Sequence, residues 1–379
     1  MTALPTRKLE AYRYADIDAL SSVWASLAEP ERVEIAAQQK QQQIWLPSGD
    51  EVDVRRVEMV LEAGAVARIF ALALGATNPR SAVAQDSSGF VPTRDSTRLF
   101  YQKTGRGPRT IIVPGRIFLW PTVRRLADEF TVISYDTRDR GRSDRIDDAS
   151  KITIQADVDD LEAIRAHFRI EKADVIGYSY MGMMVMLYAL QHPDRVDRVV
   201  QLGPVPLRWD TQFPPELVNR TPPLVDAAAA AHLTALRRDS SATQRNICEA
   251  AWVVDRYGLV GDSGHVGRLG PSRCDMPNEW PANFTRHLNA QFPSVQRLTH
   301  TWAEFARVIS PVLTIHGTLD RNAAYGAGRE WAARLPNARL ITIERAAHQS
   351  FSEYPEIVIP AIRTFFGGAW PLSAVKVSP

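Results

Sequence analysis

The chain has 379 residues, which leaves room for one large domain or two to three small ones and for a deep core. Its apolar content of 45% and charged content of 23% are those of a globular protein, and a net charge of +2 with no long basic run excludes a dedicated nucleic-acid binder. No apolar stretch reaches the ~18 residues that span a bilayer, so no transmembrane segment is expected.

Residues 1–84 read as an N-terminal extension and linker. Leu20, Val23, Trp24 and Leu27 lie at helical spacing until Glu29-Pro30 breaks the run. Residues 32–74 alternate more like short strands, interrupted by the polar stretch Gln38 to Gln43. The opening Leu4-Pro5-Thr6-Arg7-Lys8-Leu9-Glu10-Ala11-Tyr12-Arg13-Tyr14 resembles the N-terminal part of SufD-type iron–sulfur-cluster assembly scaffold proteins. That resemblance covers at most residues 1–75 and stops before the family's repeat array. A β-helix needs several stacked turns to bury its core, so no cluster-assembly function is inferred from it. Arg55-Arg56, the apolar run Gly64 to Ala76, and Ala82-Val83-Ala84 before Gln85 imitate an export signal with its cleavage site. Glu58, Glu62 and Arg68 interrupt it, and the arginine pair lies far from the chain's start. A cytoplasmic location is therefore expected, with export as the alternative. Thr77 to Ser88 reads as the linker.

Residues 85–204 read as the first half of a catalytic core. Phe90 to Gln102 alternates as an antiparallel strand pair, and Thr110 to Val113 is a β-branched run, hence a buried strand. Leu119 to Phe130 fits a helix and Thr131 to Tyr135 a second buried strand. Thr153 to Phe168 is amphipathic, with Ile154, Val158, Leu161 and Ile164 at helical spacing. Next comes Val175-Ile176-Gly177-Tyr178-Ser179-Tyr180-Met181-Gly182, an apolar strand, a tight turn and an apolar helix. Such a turn presents a nucleophilic serine at its tip. The usual spacing is G-x-S-x-G; here Met181 occupies the second small position and Gly182 follows one place later.

Val113-Pro114-Gly115, then Asp136-x-Arg138-x-Arg140-Gly141-Arg142-Ser143, then Gly177-x-Ser179 together resemble the α/β-hydrolase superfamily, over residues ~90–370. The resemblance implies a mostly parallel sheet flanked by helices, a helical cap inserted before the strand bearing the catalytic acid, and an oxyanion hole. Pro114 stands where many members have the histidine of a His-Gly turn. The oxyanion hole is assigned to the backbone N–H groups of Tyr180 and Arg116, with the Arg116 guanidinium read as a solvated loop side chain.

Residues 205–300 fall where the cap of that fold is inserted. Leu224 to Leu236, Thr243 to Tyr257 and Trp280 to Gln291 are its helix candidates. Trp209, Trp252, Tyr257, Trp280 and Phe284 are candidates for its underside, although core packing within the cap competes for each. Trp252, Glu279 and Trp280 are the substrate-contact candidates. Glu279 reads first as a surface or helix N-terminal acid, and second as an anchor for a substrate amine or hydroxyl. Cys248 and Cys274 are too few for a disulfide framework. They read as separate thiols, with one bridge as the alternative if the protein meets an oxidising compartment.

In residues 301–379, Pro311 to Gly317 is a buried strand followed by Asp320, Arg329 to Leu335 is helical, and Ala338 to Ile343 is a strand leading to His348. A helix from Glu353 to Phe366 closes the chain. Ser179, Asp320 and His348 stand in the nucleophile–acid–base order of the fold. Ser179 is a poor nucleophile alone, His348 would take its proton, and Asp320 would orient the imidazole. His316 reads as buried and hydrogen-bonded, His192 as a helix end, and His232, His265, His287 and His300 as cap residues. No metal-ligand spacing and no Gly-rich phosphate loop appear, so neither metal nor cofactor is expected. The sequence thus points to a serine hydrolase of a small ester or lactone, with a small-molecule substrate as its partner. A proline-iminopeptidase-like aminopeptidase using Asp275 or Glu279 is the second reading. The third is a pseudo-hydrolase or assembly adaptor.

Overall fold

The computed structural model describes residues 86–223 and 225–378. The expectations for residues 1–84, among them the SufD-like helix and strands and the export signal, lie outside the described residues.

Eight strands form one sheet: β1 (Ser87–Pro92), β2 (Arg98–Thr104), β3 (Thr110–Pro114), β4 (Thr131–Tyr135), β5 (Ala173–Tyr178), β6 (Val196–Leu202), β7 (Val312–Gly317) and β8 (Ala338–Ile343). Their order across the sheet is β1-β2-β4-β3-β5-β6-β7-β8. β1 and β2 pair antiparallel, as do β2 and β4, and the remaining pairs are parallel. This is the largely parallel sheet expected from the alternation of strands and helices, in the α/β-hydrolase arrangement that the motif resemblance implied. Every residue of β5 and β7 is buried, as central strands of a sheet covered on both faces are.

The core helices are α1 (Arg116–Val123), α2 (Ile154–His167), α3 (Tyr180–Gln191), α8 (Tyr325–Arg334), α9 (Ser350–Glu353) and α10 (Pro355–Phe366). Thr153 caps α2 by accepting from the Ala156 amide at 3.1 Å. In α10, Val358, Ile362, Phe365 and Phe366 are fully buried; each such side chain contributes about 1.5–3 kcal/mol. α1 is shorter than the expected Leu119–Phe130 helix, since it begins at Arg116 and passes into a 3₁₀ turn, Arg124–Leu126. Two buried polar side chains of the sheet are paired with each other. Thr314 donates to Gln201 at 2.9 Å, and Gln201 donates to the Gly182 carbonyl at 2.9 Å, tying the sheet to the turn that carries Ser179.

Between β6 and β7 lie α4 (Ala227–Arg238), α5 (Gln244–Asp255), α6 (Pro281–Gln296) and the short α7 (Trp302–Phe305). Asp226 and Thr243 cap α4 and α5. This segment is docked on the core at several places. Asn278 donates to the carbonyls of Gly141 and Ser143, and Arg286 and His287 both reach Asp139 in the loop after β4. Elsewhere Gly261 donates to Glu353 and Gln349 donates to the Leu259 carbonyl, beside His348. The expectation of two separate thiols does not hold: Cys248 on α5 and Cys274 are joined in a disulfide. Their 26-residue separation hides the fact that α5 and the loop before α6 fold back on each other, which buries both sulfurs.

Candidate active site

β5 ends at Tyr178 and α3 begins at Tyr180, which leaves Ser179 alone to reverse the chain. It does so at φ 55° and ψ −124°, a backbone conformation that costs a non-glycine residue about 1–3 kcal/mol. Its amide donates to the Leu202 carbonyl on β6 at 2.9 Å, and its carbonyl accepts from Gly182 at 2.9 Å, so both sides of the strained residue are tied down. A Cβ at Gly177 would come within 2.2 Å of the Met181 carbonyl oxygen, so only glycine fits there. The departure at Met181 is matched elsewhere. Its side chain is buried against Gly115, where a Cβ would lie 2.5 Å from the Met181 sulfur. The space usually freed by a small residue in the turn is here freed in the loop after β3.

The structure brings Ser179, His348 and Asp320 together. His348 Nε2 lies 3.0 Å from Ser179 Oγ, and its Nδ1 lies 2.8 Å from Asp320 Oδ2. The other oxygen of Asp320 accepts the amides of Asn322 (2.8 Å) and Ala323 (2.9 Å). His316 also contacts Asp320 Oδ2, at 3.1 Å, a second imidazole that the sequence placed only as buried. Burial opposes ionisation of Asp320, but His348 and His316 hold its carboxyl well below the usual range. The acid therefore stays charged at any working pH. The Tyr178 ring packs against His348 at a tilt of 43°, with centroids 4.8 Å apart.

Tyr180 and Arg116 are the first residues of α3 and α1, and the two helix starts meet through Met181 and Gly115. First-turn amides have no partner within their own helix. The Arg116 guanidinium is not solvated as expected; it forms a bidentate pair with Asp136 (3.0 and 2.8 Å) and bonds Gln102. Tyr180 sends its hydroxyl to Asp157 Oδ2 at 2.7 Å, an oxygen that also accepts from Gln291 of α6 at 2.8 Å.

Burial, reinforced by nearby Asp160, pushes the Asp157 carboxyl up to about 7. An aspartate of the unfolded chain titrates near ~4. The folded state therefore holds an extra proton between those values. The resulting stabilisation is complete below about pH 4 and is lost as pH rises through about 7. Asp157→Asn keeps the acceptor for Tyr180 and Gln291 without the charge. It is expected to gain about 1–3 kcal/mol of stability over wild type between pH 5 and pH 8, read from chemical denaturation at both pH values.

The three substrate-contact candidates gather around Arg273 and Cys274. Glu279 does sit at a helix start, in the 3₁₀ turn Pro277–Glu279 just before α6, but the expectation that it is a surface acid does not hold. It is buried, receives Arg140 in a bidentate pair (2.9 and 2.7 Å) and accepts the Gly141 amide at 2.8 Å. Burial opposes its ionisation, yet Arg140 and Arg273 pull its pKa to about 2. The Trp280 indole donates to the Cys274 carbonyl at 3.0 Å, and Trp252 lies against the Arg273 guanidinium. Trp209 is 46% exposed and packs edge-on against Phe292. Sequence reasoning missed the pairing of Arg140 with Glu279, because a charge pair formed across 139 residues leaves no local pattern, and it did not single out Arg273.

No helix among the described residues is long and apolar enough to cross a membrane. A family model for the alpha/beta hydrolase fold matches residues 118–355. Rhodomycin D methylesterase DauP of Streptomyces sp. (strain C5) is 27% identical over 276 residues, covering 68% of this chain and 90% of that protein. Esterase YbfF of Escherichia coli (strain K12) is 25% identical over 243 residues, covering 64% and 85% respectively. Among solved structures, 2-hydroxy-6-oxo-6-phenylhexa-2,4-dienoate hydrolase from Rhodococcus sp. strain RHA1 matches with a TM-score of 0.55 at 19% identity, over 75% of this chain and 100% of that one. With the family model spanning more than half of its length, the chain belongs to the α/β-hydrolase family and is a hydrolase.

Proposed function

We propose that the protein is a cofactor-independent serine hydrolase that cleaves a small carboxylic ester or lactone through an acyl-enzyme. The observation that carries this reading is the unbroken line from Ser179 Oγ through His348 to Asp320. Ser179 Oγ attacks the carbonyl carbon while His348 Nε2 takes its proton. The amides of Tyr180 and Arg116 receive the developing oxyanion. Each such fixed donor contributes about 10²–10³ in rate. The C–O bond to the alcohol then breaks, with His348 returning the proton to the leaving oxygen. Water, deprotonated by the same imidazole, releases the acid and frees Ser179. The segment between β6 and β7 acts as the cap over this serine. A carboxylic ester is favoured by the relatives named as esterases.

The aminopeptidase reading is less well supported. Glu279 is occupied by Arg140, Asp275 is exposed, and two arginines nearby disfavour a substrate ammonium. Nothing in residues 86–378 requires the adaptor reading. The Cys248–Cys274 bridge supports the exported alternative over the cytoplasmic one, since such bridges persist in oxidising compartments. The test is labelling with a fluorophosphonate probe, on wild type and Ser179→Ala side by side. Labelling of wild type that vanishes in the variant is expected; a folded wild type that does not label overturns the acyl-enzyme.

A further inference from the structure

Arg273 carries a guanidinium that the protein positions firmly but leaves without a hydrogen-bond acceptor among the described residues. Its nearest carboxylate is Glu279, with Nε 3.8 Å from Oε2. Both oxygens of Glu279 are already engaged by Arg140 and the Gly141 amide. Arg273 instead lies 4.4 Å over the Phe118 ring and 5.5 Å from the Trp252 ring. Phe118 meets Tyr178 edge-on at 5.7 Å, and Tyr178 packs against His348 with centroids 4.8 Å apart. The cation thus stands two aromatic rings away from the imidazole that serves Ser179.

The side chain is 24% exposed, so most of its hydration is gone. Burial lowers its pKa, which shows the direction of that penalty. Contacts with two rings offset only part of such a loss. Two arginines share one carboxylate here, so the cluster of Arg140, Arg273 and Glu279 carries one uncompensated positive charge. The loop is also held rigid. Cys274 is bridged to Cys248, one helical turn before Trp252 on α5, and the Trp280 indole grips the Cys274 carbonyl. A fixed, partly dehydrated, singly charged fork of N–H donors is matched to a carboxylate, a planar monoanion.

We propose that Arg273 anchors a free carboxylate of the substrate, so that the preferred ester is a half-ester of a dicarboxylic acid. This rests on the ester-hydrolase reading above and extends it to substrate class. The test compares monomethyl succinate, glutarate and adipate with methyl valerate, following acid release by pH-stat. Wild type is expected to favour at least one half-ester by about 10- to 100-fold in kcat/KM, the value of one charge-assisted bidentate contact. In Arg273→Gln the ratio between half-ester and neutral ester should fall to near one, chiefly through KM, while Arg273→Lys retains part of it. A wild-type ratio near one, or a ratio that survives in Arg273→Gln, overturns the proposal.

Binding is read separately in the inert Ser179→Ala background by calorimetric titration with monomethyl adipate and monomethyl glutarate. Heat of binding that disappears when Arg273→Gln is added supports the anchor even if no ester is turned over, in which case the hydrolase reading alone falls. Turnover of methyl valerate with no Arg273-dependent binding leaves the hydrolase reading standing and removes the anchor.

Discussion

Asp320→Asn is expected to lower kcat on p-nitrophenyl acetate by about four orders of magnitude while leaving the melting temperature nearly unchanged. Asparagine has the same shape, and its oxygen can keep the amides of Asn322 and Ala323 that fix the loop. Its NH₂ then takes the place of the oxygen facing His348 Nδ1. A donor there stabilises the tautomer with the proton on Nε2, and an Nε2–H cannot accept the proton of Ser179. The lost carboxylate also removes the charge that stabilises the imidazolium formed during attack. Fluorophosphonate labelling should slow in parallel, because it needs the same proton transfer. A loss below about tenfold, in protein shown to be folded, would mean that another group orients the imidazole; His316, on the same oxygen, is the residue that would then be substituted next.

Glu279→Ala is expected to be the most destabilising single change in the segment between β6 and β7. It leaves the Arg140 guanidinium buried without its bidentate partner and removes the nearest carboxylate of Arg273. Breaking a buried pair from one side costs about 3–5 kcal/mol, which for a domain of this size corresponds to a fall of roughly 10 °C in Tm. Arg140 also lies 4.5 Å over the Phe284 ring of α6, so its movement would loosen the docking of that helix on the loop after β4. Replacing both partners by apolar residues, Arg140→Met with Glu279→Leu, should recover much of the loss, since no charge is then stranded. The measurement is thermal denaturation of the two variants against wild type. Equal melting of Glu279→Ala and wild type would show that the pair contributes nothing.

The sheet was legible because buried parallel strands are written as short β-branched runs, such as Thr110 to Val113 and Ala338 to Ile343, separated by helical periods. The order of Ser179, Asp320 and His348 was legible for a related reason: each falls just past a strand end, where this fold exposes side chains. What was hidden depended on pairs distant in sequence. Glu279 looked like a surface acid because carboxylates usually are, and its partner Arg140 lies 139 residues earlier. Cys248 and Cys274 looked independent for want of any sign that α5 turns back on the next loop. Met181 looked like a defect of the turn until its contact with Gly115 showed where the missing space had gone.

The Cys248–Cys274 bridge gives the protein a preparation history. Closing a loop of 26 residues removes about 3 kcal/mol of chain entropy from the unfolded segment in the entropic account of such cross-links. The stiffness it adds falls on α5 and the loop of Arg273, Asn278 and Glu279, while the strands carrying Ser179, Asp320 and His348 are untied to it. Material made in a reducing host and material folded under air are therefore two preparations of one sequence. They share the arrangement of Ser179, Asp320 and His348 and differ in how firmly the loop of Arg273, Asn278 and Glu279 is held.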